Sequence, residues 1–154
     1  KTYIILLLAI MPLHWAMAQS PRFYQTECEA MEKGGHVTIN IWRTKRGAAY
    51  KSHHAQKDAI HAVLYAGVAG DKCLAQQPLL GGAEEKDNFK KVEKRFFKNN
   101  GVWSRYTKSS SLAAALPDRL GNKNWKVYQV SVSKQELKKY LEEQKIIKTL
   151  TDGF

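Results

Sequence analysis

The sequence lacks the compact motifs that mark most catalytic chains. It has no G-x-S-x-G elbow to present a serine nucleophile and no H-E-x-x-H pair to hold zinc beside a general base. Its glycines at 67, 70, 81 and 82 match neither a G-x-G-x-x-G turn after a strand nor a P-loop, so a phosphate cradle of either kind is excluded. Cysteine is scarce, with Cys28 and Cys73 alone in 154 residues. Neither sits in a local setting that would lower a thiol pKa and make it reactive. A membrane-spanning run of about 20 apolar residues is absent too, because Pro12 and His14 interrupt the apolar stretch that begins at Tyr3. Acidic residues are few, 14 against 25 Lys and Arg.

The opening KTYIILLLAIMPLHWAMAQS joins one cation, an apolar run from Tyr3 to Met11 and the small-x-small triplet Ala16-Met17-Ala18. That is the layout of a secretory signal peptide cleaved after Ala18. No Cys ends the apolar run, which argues against a lipid-anchored form. Residues 1–18 are therefore expected to be a leader and residues 19–154 a single domain, of a length that buries a sizeable core. The expected location is the periplasm or the exterior, with no span left after cleavage.

An oxidising compartment makes one Cys28–Cys73 disulfide the simplest reading of the two cysteines, with two buried free thiols as the alternative. All 14 acids, and every one of the 25 Lys and Arg except Lys1, lie in the mature part, so its formal charge is 24 minus 14, or +10. Such a balance favours an anionic partner. Export directs that preference to an envelope protein or anionic surface and away from nucleic acid.

Along the mature chain, residues 19–35 read as a polar lead-in tied down at Cys28, closed by Gly34-Gly35. HVTINIWR, residues 36–43, alternates Val37, Ile39 and Ile41 with polar or aromatic residues, the period of a strand with one buried face. From Ser52 to about Tyr65 the period becomes helical, with Ala55, Ala59, Ala62, Val63 and Ala66 on one side and Gly67 as the stop. Residues 67–82 read as a loop. A second helix follows, with Glu84, Glu85 and Asp87 in its first turn, Phe89, Val92 and Phe96 on its apolar side, and Asn99-Asn100-Gly101 at its end.

VWSRYTK, residues 102–108, is read as a strand followed by a Ser-rich connection, LPDRLGNKN as a turn region around Pro117 and Gly121, and residues 125–132 as the third strand. Ser133 and Glu136 form the pattern of a capping box for a last helix that buries Leu137, Tyr140, Leu141 and Ile147. The order β-α-α-β-β-α predicts an α+β domain, a small, largely antiparallel sheet with helices packed on one face.

Three histidines and an aspartate fall within SHHAQKDAIHAV, residues 52–63. On a helix His54, Asp58 and His61 share a face and have the chemistry of divalent-metal ligands, which makes a metal-binding protein or metal-dependent hydrolase one candidate class. A bound metal needs more ligands and outer-shell partners than this face supplies. A solvated face roughly opposite Ala59 and Val63 accounts for the same pattern, with Asp58 at the surface. His36 and His53 add to such a site only through tertiary placement.

Paired-carboxylate hydrolysis finds little support, since helix ends and solvent faces explain Glu84, Glu85, Asp87, Glu142 and Glu143. An enzyme is thus not supported by the residues, and no cofactor is expected. A more extended signal is cationic. Lys90, Lys91, Lys94, Arg95 and Lys98 recur at helical spacing opposite Phe89, Val92 and Phe96, with Lys45, Arg46 and Lys51 elsewhere, and this stripe is the candidate binding face. Trp42, Trp103, Tyr106, Trp125 and Tyr128, beside Arg105 and Lys126, invite comparison with sheets that stack single-stranded nucleic acid. Packing alone also places aromatics on strands, and no RRM motif is present.

The stretches KDAIHAVLYAGVAGDKCLAQQPL, FKKVEKRFFKNNGVWSRY and WKVYQVSVSKQELKKYLEEQKIIKTLTDGF together resemble a family of small exported proteins of Bacteroides-type bacteria that have no assigned function. The resemblance covers nearly the whole mature chain. More distantly, the strand followed by a helix with spaced alanines is similar to the N-terminal domain of flagellar assembly protein T and related surface lipoproteins. The resemblance implies an envelope role and carries no catalytic residue.

Overall fold

The computed structural model describes residues 23–44, 49–113, 116, 120, 121 and 124–149. The expected leader at 1–18, Lys45 and Arg46, Pro117 and the Gly-Phe terminus lie outside the described residues. Strands β1 (Gln25–Glu32), β2 (His36–Trp42), β5 (Thr107–Leu112) and β6 (Tyr128–Ser133) form one sheet in the order β1-β2-β6-β5. Every neighbouring pair in it is antiparallel. A hairpin of β3 (Val68–Gly70) and β4 (Cys73–Gln76) forms a second, two-stranded sheet. The helices are α1 (Ser52–His61), α2 (Ala83–Phe96) and α3 (Lys134–Glu143). The class is α+β, as expected.

Register sorts the sheet into two faces, because directly paired residues share a side. Cys28, Ile39 and Val130 stand in one row, and Val37 with Val132 and Ile41 with Tyr128 in neighbouring rows of the same face. Helix α1 lies against β2, β5 and β6, and α3 against β2. Ala55, Ala59 and Ile60 of α1, Phe89 and Phe96 of α2, and Leu137 and Leu141 of α3 join Val37, Ile39, Val130 and Val132 in one buried cluster. The opposite face is polar: Glu27, Asn40, Gln129 and Ser111 share a row there. Strand β2 was expected to bury one face only, yet Thr38, Asn40 and Trp42 are buried as well. Asn40 is accommodated by donating to Glu29 at 2.8 Å and accepting from Gln129 at 3.4 Å, which offsets the cost of burying an amide.

Four stretches differ from the sequence expectation. The lead-in before Gly34 is strand β1, held at the sheet edge by pairing with β2 and by the disulfide of Cys28 to Cys73. The expected loop at 67–82 contains the β3–β4 hairpin, which packs on β1. There Gly70 lies so close that a Cβ would sit 2.8 Å from both the N and the O of Cys28, so only glycine admits this approach. The segment 102–108 begins with a 3-10 turn over Val102–Tyr106, and β5 starts at Thr107 and runs through the serines expected as a connection to Leu112. The first helix is regular only to His61, then widens into a π turn over Ala62–Ala66 that ends at Gly67 with φ 76°. The N–H groups of Leu79 and Leu80 donate to the carbonyls of Val63 and Leu64, at 3.0 and 2.9 Å, and so satisfy backbone groups in the widened turn.

Helix starts differ in detail. At α2 the N–H of Gly82 donates to the Glu85 carboxylate at 2.8 Å, the reach-back half of a capping box. Ser133 precedes α3 as predicted, but makes no cap bond. Its hydroxyl pairs with His36 Nδ1 at 3.0 Å instead. Leu137, Leu141 and Ile147 are buried as expected, with Tyr140 packed against the cluster.

Candidate functional site

Helix α1 carries His54, Asp58 and His61 on successive turns, and each is committed to a different neighbour. Asp58 is 1 % exposed, not a solvated residue. It lies three residues after Ala55 and four before Ala62, which puts it beside the buried alanines of the helix. Arg43, just past the end of β2, explains how the charge is tolerated. Its Nε donates to Asp58 Oδ2 and its Nη2 to Oδ1, both at 2.7 Å, a two-pronged pairing that suits a carboxylate. The Tyr50 hydroxyl donates to Oδ2 at 2.9 Å, and the Arg43 guanidinium stands 5.3 Å over the Tyr50 ring. Burial first, and the Asp58 charge second, push the Tyr50 phenol far above its ordinary range, so it remains a hydrogen-bond donor. The Asp58 hydrogen bond raises the already high pKa of Arg43.

His54 stacks on Tyr50 with 6.3 Å between ring centroids, and its Nδ1 accepts from the Lys51 N–H at 3.4 Å. Burial first, and the neighbouring His53 second, lower its pKa. His61 Nδ1 pairs with the Tyr24 hydroxyl at 2.7 Å. His36 is on β2, between Ser133 and Lys108, and so does not join the α1 histidines. Among the described residues no group of three or more His, Cys, Asp or Glu side chains is placed to hold a metal ion. The arrangement at Asp58 is an internal ion pair, with both carboxylate oxygens accepting from protein donors.

The rings that invite comparison with a stacking sheet surface are not gathered on one. Trp103 and Tyr106 belong to the 3-10 turn, where Trp103 is buried and Tyr106 stacks on Phe96 with centroids 6.5 Å apart. Trp42 is buried, and Tyr128 meets Tyr50 edge-on at 5.7 Å. Trp125 precedes β6. These rings belong largely to packing; Trp42 and Tyr128 stand on strands as expected, whereas the strand reading fails at Trp103 and Tyr106, because Trp and Tyr favour strands mainly through packing that a turn also supplies.

The cationic residues of α2 lie as their spacing predicts. Lys90, Lys91, Lys94 and Arg95 are exposed on the helix, and Lys98 is exposed just beyond its end. At about 100° per residue, Lys90, Lys94 and Lys98 form a line flanked by Lys91 and Arg95, away from buried Phe89 and Phe96. Lys90 pairs with Asp87 at 3.1 Å across two exposed side chains, and Lys91 donates to Asn88 at 3.0 Å. Among the described residues, Lys94, Arg95 and Lys98 have no acidic partner.

Two features escaped the sequence reading. One is the Arg43–Asp58–Tyr50 network, whose only local signal is an aspartate among spaced alanines. The other is an open groove between α1 and the turn after α2, lined in part by His53, Lys57, Asn99 and Trp103, which carries no local signal because its walls are about 45 residues apart in the chain. Compared with protein-family models, curated proteins and solved structures, the chain matches none.

Proposed function

We propose that this chain is an exported, non-catalytic binding domain that docks on an anionic envelope surface through the basic face of α2. The observation that carries this reading is the line of Lys90, Lys94 and Lys98 with Lys91 and Arg95 beside it, all exposed and with one carboxylate pairing between them. Such a patch draws anionic headgroups by long-range attraction that salt screens. The disulfide between Cys28 and Cys73 suits an oxidising compartment, and among the described residues no helix is long and apolar enough to cross a membrane. A signal peptide at 1–18, periplasmic or secreted location and kinship with small exported proteins of Bacteroides-type bacteria belong to the same reading.

The test is co-sedimentation with vesicles of phosphatidylcholine alone or with added phosphatidylglycerol. Binding is expected to the anionic vesicles only and to fade as salt rises. Each Lys near such a surface contributes about 1 kcal/mol, so Lys90→Gln, Lys94→Gln and Lys98→Gln together should weaken binding on the order of 100-fold. Equal binding to neutral vesicles, or an unaffected triple variant, would remove the basis of the proposal.

A further inference from the structure

The groove beside α1 has a composition that selects a ligand. It is an open groove of about 420 Å³, a volume in the range of roughly 300–1,000 Å³ of small-molecule sites. His53, Gln56 and Lys57 of α1 line one side, and Asn99, Asn100 and Trp103 the other. No carboxylate lines it, which disfavours metal cations and amines as occupants. Lys57 supplies a positive charge, held 5.4 Å over the Trp103 ring and donating to Asn99 Oδ1 at 3.3 Å. The indole is fixed by its Nε1 donating to the Lys98 carbonyl at 2.9 Å.

Among the described residues, the side-chain amides of Gln56 and Asn100, the Asn99 Nδ2 and the His53 imidazole make no hydrogen bond. An amide both donates and accepts, as does a sugar hydroxyl. Uncommitted amides around a cation therefore match hydroxyls around an anion. The groove also adjoins Lys98, the end of the basic line on α2.

We propose that this groove binds a sugar phosphate, with Lys57 meeting the phosphate and Gln56, Asn99 and Asn100 meeting the hydroxyls. This inference rests on the docking reading above and deepens it by naming the anionic chemistry recognised. The same chemistry occurs in a free sugar phosphate and in a phosphorylated glycolipid headgroup.

The disulfide-bonded protein, labelled with nitrogen-15, would be titrated separately with glucose 1-phosphate, glucose and inorganic phosphate. Expected are shifts at the Asn99 and Asn100 amides and the Trp103 indole with glucose 1-phosphate, and binding of glucose or phosphate alone at least about tenfold weaker. Lys57→Ala and Asn100→Gly should each weaken glucose 1-phosphate about tenfold. The second variant suits the backbone, since Asn100 has φ 53°, a conformation glycine adopts freely.

Vesicles carrying lipid A, with glucose 1-phosphate as competitor, separate the two sources. Displacement assigns the headgroup, and binding of the soluble ligand without displacement assigns the free sugar phosphate. Silence at the groove resonances, phosphate binding as tightly as glucose 1-phosphate, or full affinity in both variants would overturn the inference. Vesicles of phosphatidic acid, whose headgroup phosphate carries no hydroxyl-bearing substituent, read the α2 line alone, so failure to bind them sinks the docking surface, and a silent sugar-phosphate titration sinks the groove.

Discussion

Replacing Arg43 by alanine removes both charge-assisted bonds to Asp58, a carboxylate that is 1 % exposed and that the Tyr50 hydroxyl still reaches. Breaking a buried pair from one side costs about 3–5 kcal/mol, because the remaining charge stays desolvated after losing its counter-charge. Arg43 is 32 % exposed in its side chain, so its removal opens a path for water to Asp58, and the lower end, about 3 kcal/mol, is expected. Removing Asp58 instead leaves a guanidinium that already reaches solvent, but orphans the Tyr50 hydroxyl, a loss of about 1–3 kcal/mol.

The double variant Arg43→Ala/Asp58→Ala strands no charge, so it should be less destabilised than the two single losses combined, by about 2 kcal/mol of coupling. Urea unfolding followed by far-ultraviolet circular dichroism, with the disulfide intact, measures all four corners of the cycle. A loss below about 1 kcal/mol for Arg43→Ala, or coupling within about 0.5 kcal/mol of zero, would refute the view that Asp58 is held in the core by Arg43.

Other perturbations test separate links. The Cys28–Cys73 bridge spans 45 residues of sequence, and the chain-entropy argument assigns it about 4 kcal/mol. Cys28→Ser/Cys73→Ser should therefore lower the urea midpoint sharply, and an unchanged midpoint would contradict that assignment. His54 is held below its ordinary pKa of 6.5, first by burial and then by His53. The unfolded chain takes up that proton first as pH falls, so the stability tied to His54 is present above 6.5 and is lost below it, down to the folded pKa. His54→Gln should flatten that acid limb, and nuclear magnetic resonance should show His54 titrating below 6.5. A slope unchanged by the substitution would reject the assignment. Tyr50 has the opposite dependence: its raised pKa means stability declines as pH climbs past 10, and Tyr50→Phe should remove part of that decline.

Local periodicity carried much of the fold and little of the site. Alternation of Val37, Ile39 and Ile41 located β2, and spaced alanines located α1. Strand β1 was illegible because QTECEAME has few residues that favour strands. Its order comes from pairing with β2 and from a cysteine in another sheet, both non-local. The 3-10 turn at 102–106 was hidden by strand-favouring residues, although Trp103 and Tyr106, three apart, both turn toward the core. Ser133 carries the letters of a cap yet bonds His36, a competitor that only the β2–β6 register brings near. Asp58 was misplaced because its helix position fits a solvated edge until Arg43 approaches from the end of β2.

The distribution of acids decides where cations of the fold go unanswered. Asp58 is occupied by Arg43, Glu29 by Asn40 and Lys72, and Glu32 by Thr38. Glu85 caps α2, while Glu142 and Glu143 face Lys138 and Lys139 of their own helix at 3.6 and 3.9 Å. These acids offset local cations or satisfy polar groups elsewhere in the fold. On α2 itself Glu84, Glu85 and Asp87 gather near its start, where Asp87 pairs with Lys90, and Glu93 precedes Lys94. Opposite charges in contact cancel within a few ångströms, whereas unpaired like charges add over a Debye length of about 8 Å. Among the described residues, positive field therefore adds up where Lys94, Arg95 and Lys98 have no acidic partner, at the end of α2 that adjoins the Lys57 groove.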